Sequence, residues 1–403
     1  MKRLFIITAA VSALTLTGCN SSTQENGLVQ EINIEDAVFN ETTINLSEIA
    51  SAIEYIPLET TTDAYLGNVN KCTIDNNYIY IASTQGQKTI HVFSKDGKFL
   101  RNIGSKGRAK GEYIAIRKLS PLTEKRAVTV TGVGKTITYS AENGSVISET
   151  SFDELLQQAD TSFNADQMDL FLEHGSNGSY CVRVVDNRDL SQRIVLFDST
   201  ENCTGEIELE DAITRKVETS LPTNLSEVPV TLTIPWVYNS MLYNFEEQTN
   251  VISFPVDTIF CIKDNKLEPR YTLNYGKFKK DGEIINNDIL WMTNLTELSN
   301  IILLHCSIPD KKGGSCILYN KKSGKSYLLK KTENMKGSSF VNDLDSGAPF
   351  WPAQSYGNRM YMFLDAGKFI DQSEEFNSPR MKEIAATLTE ESNPVMIVVT
   401  LKK

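Results

Sequence analysis

The sequence predicts an all-β chain folded as a six-bladed β-propeller, and three observations carry that reading. A short apolar strand recurs six times at spacings of 49 to 61 residues, as Tyr78–Ile81, Ala127–Val130, Tyr180–Arg183, Met241–Asn244, Ile301–Leu304 and Met360–Phe363. Most copies are followed by two more strand-like runs joined by a tight turn. Apolar residues at the 3.6 spacing of a helix are scarce. The period is too long for a helical solenoid and fits a four-stranded blade with generous loops.

The chain opens on a processing signal. Lys2 and Arg3 form a basic start, Leu4 to Leu16 an apolar stretch, and Leu16-Thr17-Gly18-Cys19 the close. So short a run cannot cross a hydrocarbon core of about 30 Å as a helix. The closing tetrad looks like a bacterial lipobox, whose cysteine takes a diacylglyceryl group; at about 0.8 kcal/mol per buried CH₂, acyl chains on Cys19 make a firm membrane anchor. Asn20 rather than aspartate after the cysteine favours the outer membrane, facing the periplasm or the cell surface. Residues 1–18 are thus expected as signal peptide, 19–42 as a polar, flexible tether, and 43–403 as the propeller.

Within the propeller the first repeat is the clearest. Tyr78–Ala82 and Thr89–Phe93 are β-rich runs, and Ser94-Lys95-Asp96-Gly97-Lys98 turns the chain back into Phe99–Ile103, with Asp-Gly suiting a type I′ turn. Later hairpins follow the same logic at Asn143-Gly144, Thr204-Gly205, Asp264-Asn265 and Ser323-Gly324. Two short helices are expected, over 152–158 and 379–388, the second started by Ser378 and Pro379. The sixth repeat lacks its own following hairpin. Its missing strands are expected from Val395–Leu401 and from Ile53–Leu58, so that the two ends of the chain close the ring and remove open sheet edges.

An ordered set of stretches resembles the six-bladed β-propeller lipoproteins of gut-dwelling Gram-negative anaerobes, distant relatives of NHL-repeat propellers. They are Ile53-Glu-Tyr-Ile-Pro-Leu-Glu-Thr60, Val92-Phe-Ser-Lys-Asp-Gly-Lys-Phe-Leu100, Ile103-Gly-Ser-Lys-Gly107 with Gly111-Glu-Tyr113, Pro269-Arg-Tyr271, Asn342-Asp343 with Phe350-Trp-Pro352, and Asn393-Pro394. The chain departs from the pattern at Ala109-Lys110, where a Gly-Pro pair is usual. The resemblance implies a propeller on a lipid tether, often associated with nutrient-acquisition systems, of undefined biochemical activity.

Composition bounds the partners. The formal charge is −11 at pH 7 and becomes −13 once Lys2 and Arg3 leave with the leader, which repels phosphate backbones; nucleic acid is not an expected partner. The six cysteines beyond Cys19 form no CxxC pair, so a structural zinc site has no support. Cys306 and Cys316 flank a hairpin-like loop and are the pair that an exported protein could join as a disulfide, the alternative being two small buried apolar residues.

Candidate chemistry is sparse. Lys106 and Arg108, set among Gly104, Gly107 and Gly111, form a loop able to cradle an anion such as a sugar acid, or merely a connection needing glycines. Asp343 and Asp345 resemble the start of a calcium loop, but the position where a bidentate glutamate belongs is Gln354, so an Asx turn is the competing reading. Calcium is the one cofactor contemplated. Trp351, like Trp236 and Trp291, offers a flat face for a sugar or fills a gap between blades. Only three histidines occur, and neither HExxH, GxSxG nor a full sialidase Asp box is present. The expected function is therefore a non-catalytic binding or scaffolding module for a glycan, a peptide or a partner such as a transporter. A propeller hydrolase or lyase with a metal-centred funnel is the alternative.

Overall fold

The computed structural model of the chain describes residues 29–402 apart from 68, 84–88, 160–167, 175–178, 187, 190, 210–213, 223–226, 236–239, 254–256, 280–283, 286–288 and 333–336. Cys19 and Trp236 lie outside the described residues. Six sheets arranged in a ring form a six-bladed β-propeller. From the axis outwards, blade one is Val69–Ile74, Tyr78–Ser83, Ile90–Ser94 and Phe99–Ile103, and blade two is Ile116–Leu122, Ala127–Gly132, Lys135–Ser140 and Val146–Ser151. Blade three is Met168–His174, Tyr180–Asp186, Gln192–Phe197 and Cys203–Leu209; blade four is Ser240–Phe245, Gln248–Ser253, Thr258–Lys263 and Lys266–Asn274. Blade five is Trp291–Glu297, Ile301–Ser307, Ser315–Asn320 and Lys325–Leu329. Among the described residues no helix is long and apolar enough to cross a membrane.

Blade six is built from both ends of the chain, as expected. Its order is Gln354–Tyr356, Arg359–Leu364, Val395–Leu401, Ala50–Pro57. The C-terminal strand sits between two antiparallel partners, with Val399 opposite both Met360 and Ile53. Val395, Met396, Ile397, Val398 and Val399 are each at most 4% exposed. Fully buried Asn393 stitches the join: its side chain accepts from Leu66 N at 2.7 Å and donates to the carbonyls of Glu59 at 2.7 Å and Ala64 at 2.5 Å.

Five of the six recurring strands are the second strand of their blade, but Met241–Asn244 belongs to the first strand of blade four. The equivalent second strand begins at Gln248, whose Gln-Thr-Asn start is too polar to stand out. An extra hairpin between blades three and four, Thr214–Pro222 with Glu227–Pro235, stretches the interval there.

The expected tether is partly structure. Gln30–Asn33 pairs in parallel outside blade four, against Tyr271–Asn274. A helix, Ile34–Phe39, follows, capped by Asn33 Oδ1 accepting from Asp36 N at 2.9 Å, and Glu41–Thr42 then pairs in parallel with Leu328–Leu329 of blade five. The sparse apolar residues of this segment are what hold it: Ile32, Ile34 and Ala37 are completely buried. Both expected helices occur, as Phe152–Gln157 and Pro379–Ala385, and Ser378 Oγ caps the second by accepting from Met381 N. A further helix, Ala366–Glu375, turns its Phe369 into the core.

Turn chemistry differs from blade to blade. Asp264 and Asn265 both have positive φ, 48° and 59°, and make the two-residue I′ type of hairpin. In blade one only Gly97 does, at 86°; Gly97 N donates to Ser94 O, so the turn is a type I followed by a left-handed residue. A Cβ on Gly97 would also lie 2.3 Å from Pro57 O of blade six. In blade three the turn is at Asp198–Asn202, not at Thr204-Gly205. Gly205 lies within a strand, where Asn265 of blade four packs against it.

The Cys306–Cys316 disulfide is not formed, and both thiols are free and buried. In the register Cys306 faces Ser315 and Cys316 faces His305. Adjacent positions on a strand point to opposite faces, so the two sulfurs enter different core clusters on the two sides of blade five. Burial pushes the Cys306 thiol up to about 12.

Between blades four and five lies a buried charge cluster. Glu297, whose side chain is fully buried, accepts from Arg270 at 2.9 and 3.0 Å, from Lys321 at 2.8 Å and from the Tyr243 hydroxyl at 2.9 Å. The Arg270-Tyr271 stretch noted in the sequence thus has a packing role, with Arg270 also lying over the rings of Phe245 and Tyr271.

Candidate functional site

The first strands of the blades surround the axis and leave a cavity of about 600 Å³, lined from five blades. Lys71 comes from blade one, Ile116, Arg117, Lys118 and Thr131 from blade two, and Leu172, Glu173 and Arg183 from blade three. Met241, Leu242 and Tyr243 of blade four and Thr293, Asn294 and Leu295 of blade five complete the wall. Pockets of roughly 300–1,000 Å³ with an apolar lining and a few convergent polar groups are those that take small molecules.

Irregular strands aim these side chains. The register of the first strand slips between Val69 and Lys71, between Ile116 and Lys118, and between Met292 and Asn294. A regular strand sends successive side chains to opposite faces, whereas a bulge inserts an extra residue and re-aims its neighbours. In blade two this lets Arg117 and Lys118, adjacent in sequence, both line the cavity, and in blade five it does the same for Thr293 and Asn294.

Among the described residues the lining holds four cations, Lys71, Arg117, Lys118 and Arg183, against one carboxylate, Glu173. Glu173 is ion-paired with Lys118 and accepts from Asn244 Nδ2 at 3.1 Å. Burial raises the Glu173 pKa even though the Lys118 ammonium opposes the shift. Arg183 is 1% exposed and donates to Gln192 at 2.8 Å. Arg117 is exposed, and Lys71 and Lys118 are partly so, which leaves their charges within reach of a solute. Among the described residues Lys71 forms no ion pair, and buried Thr131 Oγ1 has no hydrogen-bond partner.

Among the described residues, none of the candidate site residues of the sequence lines this channel. Lys106 and Arg108 are exposed on a loop whose glycines serve packing: Glu112 takes up the side-chain space at Gly107, and Tyr113 and Tyr139 that at Gly104. The loop is tied down by Gly111 N donating to Glu149 and by the Tyr139 hydroxyl donating to Gly111 O. Trp351 packs edge-on to His305, ring centres 5.1 Å apart, and over Gly314 and Gly337, in the gap-filling position between blades five and six.

Asp343 lines a second, shallower cavity of about 510 Å³ at the rim, and Asp345 does not. Their oxygens are committed. Asp343 accepts from the backbone and hydroxyl of Ser47, and Asp345 from Tyr55, Asn342, Ser378 and the backbone of Gly347. The last contact is an Asx turn, the competing reading of this stretch, and no group of three or more metal-type ligands occurs among the described residues.

The channel cations were legible only as a break in pattern: Ile116-Arg117-Lys118-Leu119 puts two charges where a strand should alternate.

A family model described as "Domain of unknown function (DUF4934)" matches residues 29–400. A solved protein from Bacteroides fragilis, described as exported, shares the fold at a TM-score of 0.61 and 16% identity, over 90% of this chain and 98% of its own. A DUF4221 family member from Bacteroides vulgatus aligns over 88% of this chain and 97% of its own at TM-score 0.40 and 11% identity. A DUF4623 family protein from Bacteroides eggerthii aligns over 90% and 78% at TM-score 0.38 and 11% identity. No curated protein matches the sequence.

Proposed function

The chain belongs to the DUF4934 family, and from that premise we propose that it is a non-catalytic binding module whose ligand enters the central channel. The observation that carries this reading is the cavity itself, drawn from the inner strands of five blades and mixing apolar with polar side chains. Its ligand is a glycan or peptide, or a segment of a partner such as a transporter.

The lining favours binding over hydrolysis or lysis. Among the described residues of the lining, Glu173 is the one carboxylate, is already held by Lys118, and has no histidine or second carboxylate beside it. On the same reading the protein is exported and held at the outer membrane by lipid on Cys19, with residues 20–29 as the remaining tether. The leader supports this, and the Bacteroides fragilis protein of the same fold is described as exported.

Glycan and peptide arrays probed with the full chain test the reading. Asn294→Trp, at an exposed position of the cavity wall, should abolish any binding found while leaving the thermal midpoint near that of the parent. Unchanged binding by a folded Asn294→Trp protein would place the ligand elsewhere.

A further inference from the structure

We propose that the channel selects a small ligand bearing an oxyanion, a carboxylate, sulfate or phosphate on a polar body, through Lys71, Arg117 and Lys118. The proposal rests on the channel being the binding site and adds the chemistry it reads.

Charge sign is the first argument. The chain is acidic overall, at −11, yet the described residues of the channel wall carry four cations to one carboxylate. A cleft lined by one sign with low-dielectric walls focuses its field and raises the local concentration of the opposite ion. Here the acidic exterior turns anions away from the general surface and leaves the channel as the place where they are attracted.

The second argument is incomplete compensation. Glu173 satisfies Lys118, and Gln192 takes a hydrogen bond from Arg183, but Lys71 has no ion pair among the described residues. Cations gathered in a confined space repel one another unless a counter-charge arrives. Elsewhere in the fold that charge is supplied internally: Glu297 answers both Arg270 and Lys321 at full burial. Lys71 has no such answer among the described residues and is partly exposed to solute.

The third argument is construction. The slip in blade two turns consecutive Arg117 and Lys118 toward one space, and the slip in blade one falls beside Lys71. Three separate cationic groups, one of them a planar guanidinium able to grip an oxyanion with two parallel bonds, thus converge from two neighbouring blades. Asn294, exposed on the same wall, suits the hydroxyl groups of a sugar-like body. A cavity near 600 Å³ limits the ligand to small-molecule size.

Titration calorimetry on the full chain in detergent tests this with D-galacturonate, D-glucuronate, glucose 6-sulfate and glucose 6-phosphate, against D-galactose and D-glucose as neutral controls. At least one anion should bind where its neutral counterpart does not, and more weakly at 1 M salt, as the Debye length shrinks to about 3 Å. Lys71→Gln and Arg117→Gln should each weaken it roughly tenfold or more, as expected for loss of a charge-assisted bond. Lys71→Arg, which keeps the charge, should retain binding and so separate charge from folding. The double variant Lys106→Gln with Arg108→Gln should bind like the parent. Neutral sugars binding as well as their anionic counterparts would overturn the inference while leaving the channel reading intact. Binding lost in the loop variant but kept in Lys71→Gln and Arg117→Gln would overturn both. No binding by any of the four anions would overturn the inference alone, since the arrays test the channel independently.

Discussion

Ile53 stands opposite Val399, so the two ends of the chain share one blade and the ring cannot close without either. Ile397→Ala, at a position 2% exposed, should lower stability by about 2–5 kcal/mol. Deleting residues 394–403 should cost more, because it also exposes two sheet edges. Thermal unfolding checks both, and a truncation with the parent's midpoint would show that the ends do not meet.

The Glu297 cluster gives a sharper test of how blades four and five are joined. Glu297→Gln keeps the volume but leaves Arg270 and Lys321, 19% and 15% exposed, without their carboxylate. Breaking one side of a buried ion pair costs about 3–5 kcal/mol. Denaturant unfolding should show a loss of that size, and a change below about 1 kcal/mol would mean the cluster is solvated in solution.

His305 makes stability depend on pH. Burial beside Trp351 depresses its pKa from 6.5 to about 4. The unfolded chain therefore binds a proton that the folded one refuses between those values. The stability is fully present above about 6.5 and is lost as pH falls toward 4, by about 3 kcal/mol from this group. His305→Phe should lose less over that window. Parallel pH profiles for parent and variant would refute the assignment.

How much of this was legible in sequence follows from what each element rests on. The hairpins and the closing strand showed because Val395–Leu401 is almost uniformly apolar and the Asp-Asn and Asn-Gly turns punctuate the chain. The strands and helix of residues 30–42 did not, since a parallel edge strand is held largely by backbone bonds and only three fully buried side chains anchor it. Bulges are set by cross-strand register, which a single strand's sequence does not encode. That is why Lys106 and Arg108, conspicuous among glycines, drew attention that Arg117 and Lys118 did not. Of the two readings of Cys306 and Cys316, the buried apolar pair is the one found: ten positions apart suits a hairpin, but a one-residue offset in register sends them to opposite faces.

Thiol counting follows from that offset. In denaturant, all six cysteines from Cys72 to Cys316 should react without prior reduction, and reductant should leave the melting temperature unchanged. Four reactive thiols instead of six would mean that a disulfide has formed.

Membrane attachment is tested at the other end of the chain. Cys19→Ser should move the protein from the membrane fraction to the soluble one and abolish palmitate labelling. Retention in the membrane fraction would remove the lipid anchor from the account.

The central claim is that the space between Lys71, Arg117 and Asn294 is where this protein holds its ligand. A crystal structure grown with the anion that binds most tightly in calorimetry addresses it most directly. The account predicts electron density for the ligand inside the channel, its oxyanion against Arg117 and Lys71. Density at the rim beside Asp343 and Phe376, or on the loop bearing Lys106 and Arg108, with the channel unfilled, would contradict it.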